Sequence, residues 1–168
     1  MIIKRTINMT KQSDDVIVKT LSRLLIPFMQ IYALYVIAHG HYSPGGGFQG
    51  GVILGASIIL LVITYGLDNA LRKMSERLIT IFSSAGVLIY AGIGLLCLIL
   101  GGNYLDYAEL DQVLHVGIAQ ARSLGILGVE VGVGLAVMAG MISIFLDIAT
   151  GGLPSGKIEG LREQGKRA

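Results

Sequence analysis

Residues 39–51 read HGHYSPGGGFQGG, and this glycine segment separates two apolar runs in the first half of the chain. Six of its thirteen residues are glycine and one is proline, while residues 24–38 and 52–63 on either side are almost wholly apolar. Glycine frees the backbone and proline restricts it, so a cluster of both interrupts regular structure. The glycine segment therefore predicts a break between two helices.

The same letters satisfy a dinucleotide-binding fingerprint, with Gly45, Gly47 and Gly50 at the required offsets and Asp68 18 residues further on. That fingerprint needs a preceding strand and a βαβ unit. The flanking runs are apolar and long enough to cross a bilayer, so they supply neither. The match does not indicate a nucleotide site.

The composition is typical of an integral membrane protein. The 168 residues are 53% hydrophobic and 14% charged, with a mean hydropathy of +0.71, whereas an average soluble domain is about 25% charged. Histidine, cysteine and acidic residues show neither a zinc-type spacing nor a catalytic triad. We therefore predict a multi-pass protein of the cell membrane that holds no metal or cofactor and is not an enzyme by itself.

The predicted fold is all-α, with four transmembrane helices, because four apolar runs reach the roughly 17–25 residues that cross a bilayer. The predicted spans are residues 21–38, 48–65, 78–100 and 123–148, between a polar N-terminal segment (1–20) and a basic tail (149–168). The first run is not followed by the cleavage site of a secretory signal, so we expect it to stay in the membrane.

Residues 103–122, between the third and fourth spans, alternate apolar and polar positions at helical spacing. The apolar positions are Leu110, Val113, Leu114, Gly117, Ile118 and Ala121. This pattern is typical of an amphipathic helix that lies on a membrane surface or on a partner.

Lysine and arginine are distributed unevenly along the chain. Twelve of the 13 lie in the N-terminal part, the second loop and the tail, and one, Arg122, lies in the third loop. Positive residues tend to remain in the cytoplasm, so both termini are predicted to be cytoplasmic, with the glycine segment and the amphipathic helix outside. The net charge of +2 thus reflects topology and does not indicate a nucleic-acid partner.

Glu130 lies within the fourth apolar run. An acid inside a span costs roughly 2.5–3.5 kcal/mol on insertion scales, so it normally faces protein or water and marks a pathway. In the predicted topology Glu130 is near the outer end of its span, where a helix N-terminus also favours negative charge. An ion pathway and a helix-end role are both open.

The glycine segment is the second candidate site, because irregular backbone at a membrane boundary is tolerated where it is buried in protein or lines a wet cavity. The candidate residues for an ion pathway or an interface are His41, Pro44, Gly45, Gly46, Gly47, Phe48 and Gln49. A simple outer turn is the alternative. The segment and Glu130 share the predicted outer side, so we expect them to lie close together.

The histidines allow two further interpretations. Unperturbed imidazole titrates at about pH 6.5. His39, like His41, is therefore a candidate proton relay, and the alternative is a solvated polar group. Together with His115, these two histidines also allow the hypothesis of a haem or quinone site. Haem-binding imidazoles usually project from within a helical bundle, whereas these three sit in or beside loops, which makes such an anchor the lesser alternative.

Two small-xxx-small pairs are predicted to let neighbouring helices approach closely. They are Gly51 with Gly55, and Gly128 with Gly132.

Residues 40–51, placed between two spans of a small four-span protein, resemble the signature of the B subunit (MnhB or MrpB) of Mrp-type multisubunit sodium/proton antiporters. The resemblance extends from about Leu21 to Leu146. Glu130, followed by Val-Gly-Val-Gly, is similar to the acid-plus-small-residue start of the family's last span, where the family more often has aspartate.

The resemblance implies a membrane complex that exchanges cytoplasmic sodium for external protons, in which this chain is a small subunit beside larger membrane subunits. Similar modules occur in membrane-bound hydrogenases and related respiratory complexes, where electron transfer drives ion pumping. Both hosts are open. The sequence itself favours a partner-dependent role, because a self-sufficient transporter would carry several ionisable groups within its spans.

Overall fold

The computed structural model describes residues 16–42, 45–67 and 76–152, and all regular structure in this part of the chain is helical. The helices are α1 (Val16–Ala38), α2 (Gly47–Tyr65), α3 (Glu76–Ile99), α4 (Asp111–Leu114) and α5 (Ile118–Thr150). α1, α2, α3 and α5 are long and apolar enough to cross a membrane. The predicted all-α fold with four spans is confirmed.

Two of the long helices begin earlier than the sequence predicted. α1 starts at Val16 and not near residue 21, and α5 starts at Ile118 and not near residue 123. Most of the predicted N-terminal segment and tail lies outside the described residues. The orientation, with both termini in the cytoplasm, stays a prediction.

The predicted amphipathic helix is much shorter than the apolar pattern indicated. Only Asp111–Leu114 is helical in the connection, and Ile118 and Ala121 belong to α5. The cause is local backbone geometry, because His115 and Gly117 have φ values of 53° and 92°, a left-handed region that ends a helix. The Gly117 N–H donates to Asp111 Oδ1 at 2.7 Å, which fixes this turn.

The four long helices form an open row in the order α1, α2, α5, α3. α5 packs along α2 on one side and along α3 on the other, and α1 packs mainly against α2. A closed four-helix bundle would also bring the outer helices together around a common core. The open row instead leaves large apolar side chains exposed on both outer helices, such as Phe28 on α1 and Leu88 on α3.

Glycines allow α5 to approach both of its neighbours closely. A β-carbon on Gly51 of α2 would lie 2.6 Å from the carbonyl oxygen of Gly134, and one on Gly86 of α3 would lie 2.5 Å from the carbonyl oxygen of Gly132. Gly132 and Gly134 are two residues apart and therefore about 200° apart around a helix. α5 thus presents one glycine to each neighbour.

A cluster of apolar side chains joins α2, α3 and α5 at the end of these helices that is farther from the glycine segment. It consists of Val62, Leu67, Ile79, Ala139, Ile142 and Leu146. Side-chain packing therefore fixes α2, α3 and α5 near the end of α5, while backbone contact fixes them nearer the glycine segment.

We expect Gly86→Ala to destabilise the protein, because the new β-carbon would press on the α5 backbone. Overpacking of this kind costs about 1–3 kcal/mol and should lower the thermal unfolding midpoint of the detergent-solubilised protein. Gly92→Ala on the same helix is the matched control, since a β-carbon there meets nothing within 4 Å and gains the same helix propensity. If both variants unfold at the same temperature, α3 and α5 are not in backbone contact.

Candidate functional site

Glu130 lies twelve residues after the first residue of α5, which is about 18 Å along the helix at 1.5 Å per residue. The effect of a helix terminus falls off within the first turn. The alternative that Glu130 is a helix-end residue, stabilised by the N-terminus of its own helix, is therefore wrong. The earlier start of α5 accounts for the difference.

The glycine segment contacts Glu130 directly. A β-carbon on Gly46 would lie 2.5 Å from Glu130 Oε1, and one on Gly40 would collide with the same carboxyl group. A β-carbon on Gly47 would collide with the backbone carbonyl of Glu130. The expected proximity is thus present. At Gly47 the contact requires glycine, because the atoms opposite it belong to backbone, whereas Gly40 and Gly46 face the movable end of the Glu130 side chain.

Two polar atoms in this contact are buried without a hydrogen-bond partner among the described residues. They are Oε2 of Glu130 and Nδ1 of His41. His41 is also the ionisable group that acts electrostatically on Glu130. Buried polar atoms are normally paired, and an unpaired one costs about 1–3 kcal/mol. This pair of unsatisfied atoms makes the contact between Glu130 and the glycine segment the candidate functional site.

The structure separates His39 from this site. Its ring is exposed and stacks on Tyr35 with centroids 4.2 Å apart, and its Nδ1 lies 3.2 Å from the Tyr35 carbonyl oxygen. His115 is also exposed, in the turn before α5. The three histidines therefore do not form a common haem-type site.

The other predicted residues of the segment divide into two groups. Gly46 and Gly47 face Glu130, whereas the side chains of Phe48 and Gln49 are exposed on the first turn of α2. Gly45 lies beside the Gln49 amide. Pro44 lies outside the described residues.

The predicted packing glycines all lie at helix interfaces. Gly51 meets Gly134. A β-carbon on Gly55 would lie 3.2 Å from the β-carbon of Met141. Gly128 and Gly132 face Ile93 and Gly86 of α3. The two pairs therefore serve different interfaces of α5.

Comparison with known proteins identifies the family. Residues 17–143 match the family described as "Domain related to MnhB subunit of Na+/H+ antiporter". The chain belongs to this MnhB family. Relatives from Staphylococcus aureus strains Newman and JH1, which carry the name antiporter subunit mnhB2, are 28% identical to it over 135 residues, or 76% of this chain and 94% of theirs.

A solved structure shows the same fold in a larger assembly. One chain of the membrane-bound sulfane sulfur reductase (MBS), an archaeal respiratory membrane complex, aligns with a TM-score of 0.54 and 23% identity. The alignment covers 79% of this chain and 60% of that chain, so this MnhB-family chain spans well under two thirds of its length. At this identity the likeness concerns the fold alone.

Tyr107 is a site neighbour that sequence reasoning missed. It lies in the connection between α3 and α5, where its ring packs against Gly125 of α5. Burial raises the pKa of the Tyr107 phenol, and Glu130 is among the ionisable neighbours that add to this rise. The connection of this MnhB-family chain thus covers Glu130's helix on the side away from the glycine segment. No motif marks Tyr107, because its position depends on how the loop folds back.

Gly47→Ala should destabilise the protein by about 1–3 kcal/mol, since its β-carbon meets the backbone of Glu130 and α2 must move away from α5. The measurement is again the unfolding midpoint in detergent. Gly45→Ala is the matched control, because its β-carbon meets only the exposed side chain of Gln49, which can rotate. Equal midpoints for the two variants would contradict the contact between Gly47 and Glu130.

Proposed function

We propose that this chain is a small membrane subunit of a multisubunit cation/proton antiporter, and that the contact between Glu130 and the glycine segment lies on its ion route. The observation that carries the proposal is a carboxyl group within a membrane helix, enclosed by glycine backbone, with one oxygen buried and unpaired. The membrane is the cell membrane, and the exchanged cation is sodium.

The energetics support an ionic role for this contact. A side chain that only packed α2 against α5 would be apolar, because an acid within a span raises the insertion free energy by roughly 2.5–3.5 kcal/mol. Packing here is already provided by glycines. A carboxyl group that packing does not need supports a place for Glu130 on the ion route or at the interface that seals it.

The arrangement also supports a role that depends on other membrane subunits. The described residues contain no group of three or more histidine, cysteine or acidic residues that could hold a metal ion. In the described part of the chain the helices form an open row, and both outer helices expose large apolar side chains. Larger subunits packed on these faces complete the route and contribute to assembly.

A respiratory complex is the second candidate host, in which electron transfer drives the antiporter-like module. The structural likeness to a chain of MBS favours it, although that likeness extends to the fold alone. Purification of the chain under mild conditions distinguishes the two hosts, since a respiratory host would bring redox subunits with it. A haem-type spectrum from the isolated chain would contradict both proposals.

We expect Glu130→Gln to reduce sodium-dependent proton transport by about a hundredfold or more, the lower end of what removal of a proton-transferring group costs, and to leave assembly intact. The change removes the charge at nearly constant volume. Transport is measured in everted vesicles that contain the complete complex, and assembly by native gel electrophoresis.

Asp147→Asn is the matched control on the same helix. Asp147 is exposed three residues before the last residue of α5, far from the glycine segment, so this variant should transport normally. Normal transport by Glu130→Gln would refute the ion route. Loss of the complex in Glu130→Gln would instead assign Glu130 a structural role.

A further inference from the structure

The glycine segment covers one side of the Glu130 carboxyl group. Gly40 and Gly46 lie so close to it that a β-carbon on either would meet the carboxyl oxygens. A hard cation such as sodium needs several oxygen ligands around it. A proton needs only one acceptor atom.

Three described backbone carbonyls near the contact, those of His39, Gly46 and Gly47, already have neighbours within the chain. The carbonyl of His39 accepts a hydrogen bond from the Tyr42 N–H at 3.0 Å, and that of Gly46 accepts one from the Gly50 N–H at 3.0 Å. The carbonyl oxygen of Gly47 points to α5, 3.3 Å from the β-carbon position of Gly134. These carbonyls hold the segment and α2 together.

The unpaired atoms are complementary for proton transfer. Oε2 of Glu130 carries the proton when the carboxyl group is neutral, and Nδ1 of His41 accepts one when the imidazole is neutral. Both atoms are buried in the described structure and lack another partner. They are not hydrogen-bonded to each other, so transfer requires a side-chain rotation or one bridging water molecule.

We propose that this site exchanges protons and excludes sodium, with Glu130 and His41 as donor and acceptor. The inference rests on the proposed function. The Glu130 carboxyl group gives its proton from Oε2 to Nδ1 of His41, which leaves a carboxylate and an imidazolium. The imidazolium releases a proton from Nε2, the carboxylate takes up the next proton, and the imidazole regains its first tautomer by exchange with water. Sodium crosses elsewhere in the complex.

Other ionisable groups lie on the surrounding elements, but His41 is the one that acts electrostatically on the Glu130 carboxyl group. Those whose side chains the structure describes are Lys19, Arg23, Tyr32, Tyr35, His39 and Tyr42 of α1 and the segment, Tyr65 of α2, Arg77, Tyr90 and Cys97 of α3, Tyr104, Asp106, Tyr107, Glu109, Asp111 and His115 of the connection with α4, and Arg122 and Asp147 of α5. Of these, His39 is exposed, and its ring stacks on the ring of Tyr35. Tyr107 remains neutral near neutral pH, because burial raises the pKa of its phenol.

The test replaces each histidine by alanine in the complete complex and measures transport in everted vesicles. His41→Ala should lower the maximal rate about a hundredfold or more, while the apparent KM for sodium changes less than about twofold, since on this proposal no sodium binds here. It should also change the pH profile of the rate, because the proposed proton acceptor is gone. Added imidazole should restore part of the rate.

His39→Ala is the matched control and should keep the wild-type rate and pH profile. A large rise in the apparent KM for sodium in His41→Ala, with the maximal rate retained, would show that the site binds sodium. An unchanged rate and pH profile, or a loss that imidazole does not restore, would show that His41 transfers no proton. Either result, with Glu130→Gln still inactive, would overturn this inference and leave the proposed function in place.

Discussion

The approach of α2 to α5 at Gly47 is the contact on which the rest of the structure depends. The backbone of Glu130 occupies the space that a β-carbon on Gly47 would need. Because the two helices touch backbone to backbone, the segment before α2 closes over the carboxyl group. A side chain at Gly47 would separate the helices and open the site as well. Packing and function therefore share one constraint.

This constraint explains why the glycines cluster on one stretch of the chain. Helix association in lipid gains little from the hydrophobic effect, so it relies on close packing and on interhelical polar contacts. Gly47 and Gly51 provide that packing along α2, while Gly40 and Gly46 provide space for one polar side chain. The first pair lowers the free energy of the helix contact. The second pair lets the Glu130 carboxyl group lie against the segment.

Local signals in the sequence predicted the elements well. Charge counts and apolar runs are read from residues that are neighbours in the sequence. They predicted four spans, a break within residues 39–51 and an acid near that break. Non-local features were not accessible in this way. The order of helices in the row depends on which glycine faces which neighbour, and Gly86 and Gly134 carry no mark that separates them from other small residues.

The start of α5 before the predicted span has a physical cause. The polar residues Gln120 and Arg122 indicated a loop, but polar side chains are tolerated on a helix that extends beyond the hydrocarbon region. α5 has 33 residues and is about 50 Å long, whereas the hydrocarbon core is about 30 Å thick. The interruption lies earlier, at His115 and Gly117, where the backbone conformation and not the polarity ends the helical pattern.

Because α5 is longer than its neighbours, the part of α5 beyond Glu130 is covered on one side only. α1 ends at Ala38 and α2 begins at Gly47, both at the level of Glu130, whereas α5 continues for about three more turns beside α3. Over those turns the connection that carries Tyr107 covers α5 on its α3 side. Beyond the glycine segment, no described element packs on the opposite side, where α1 and α2 have ended. On the proposed route from Glu130 to His41, protons would emerge at the level where the described elements stop covering α5, and the surface that receives them would belong to solvent or to a neighbouring subunit.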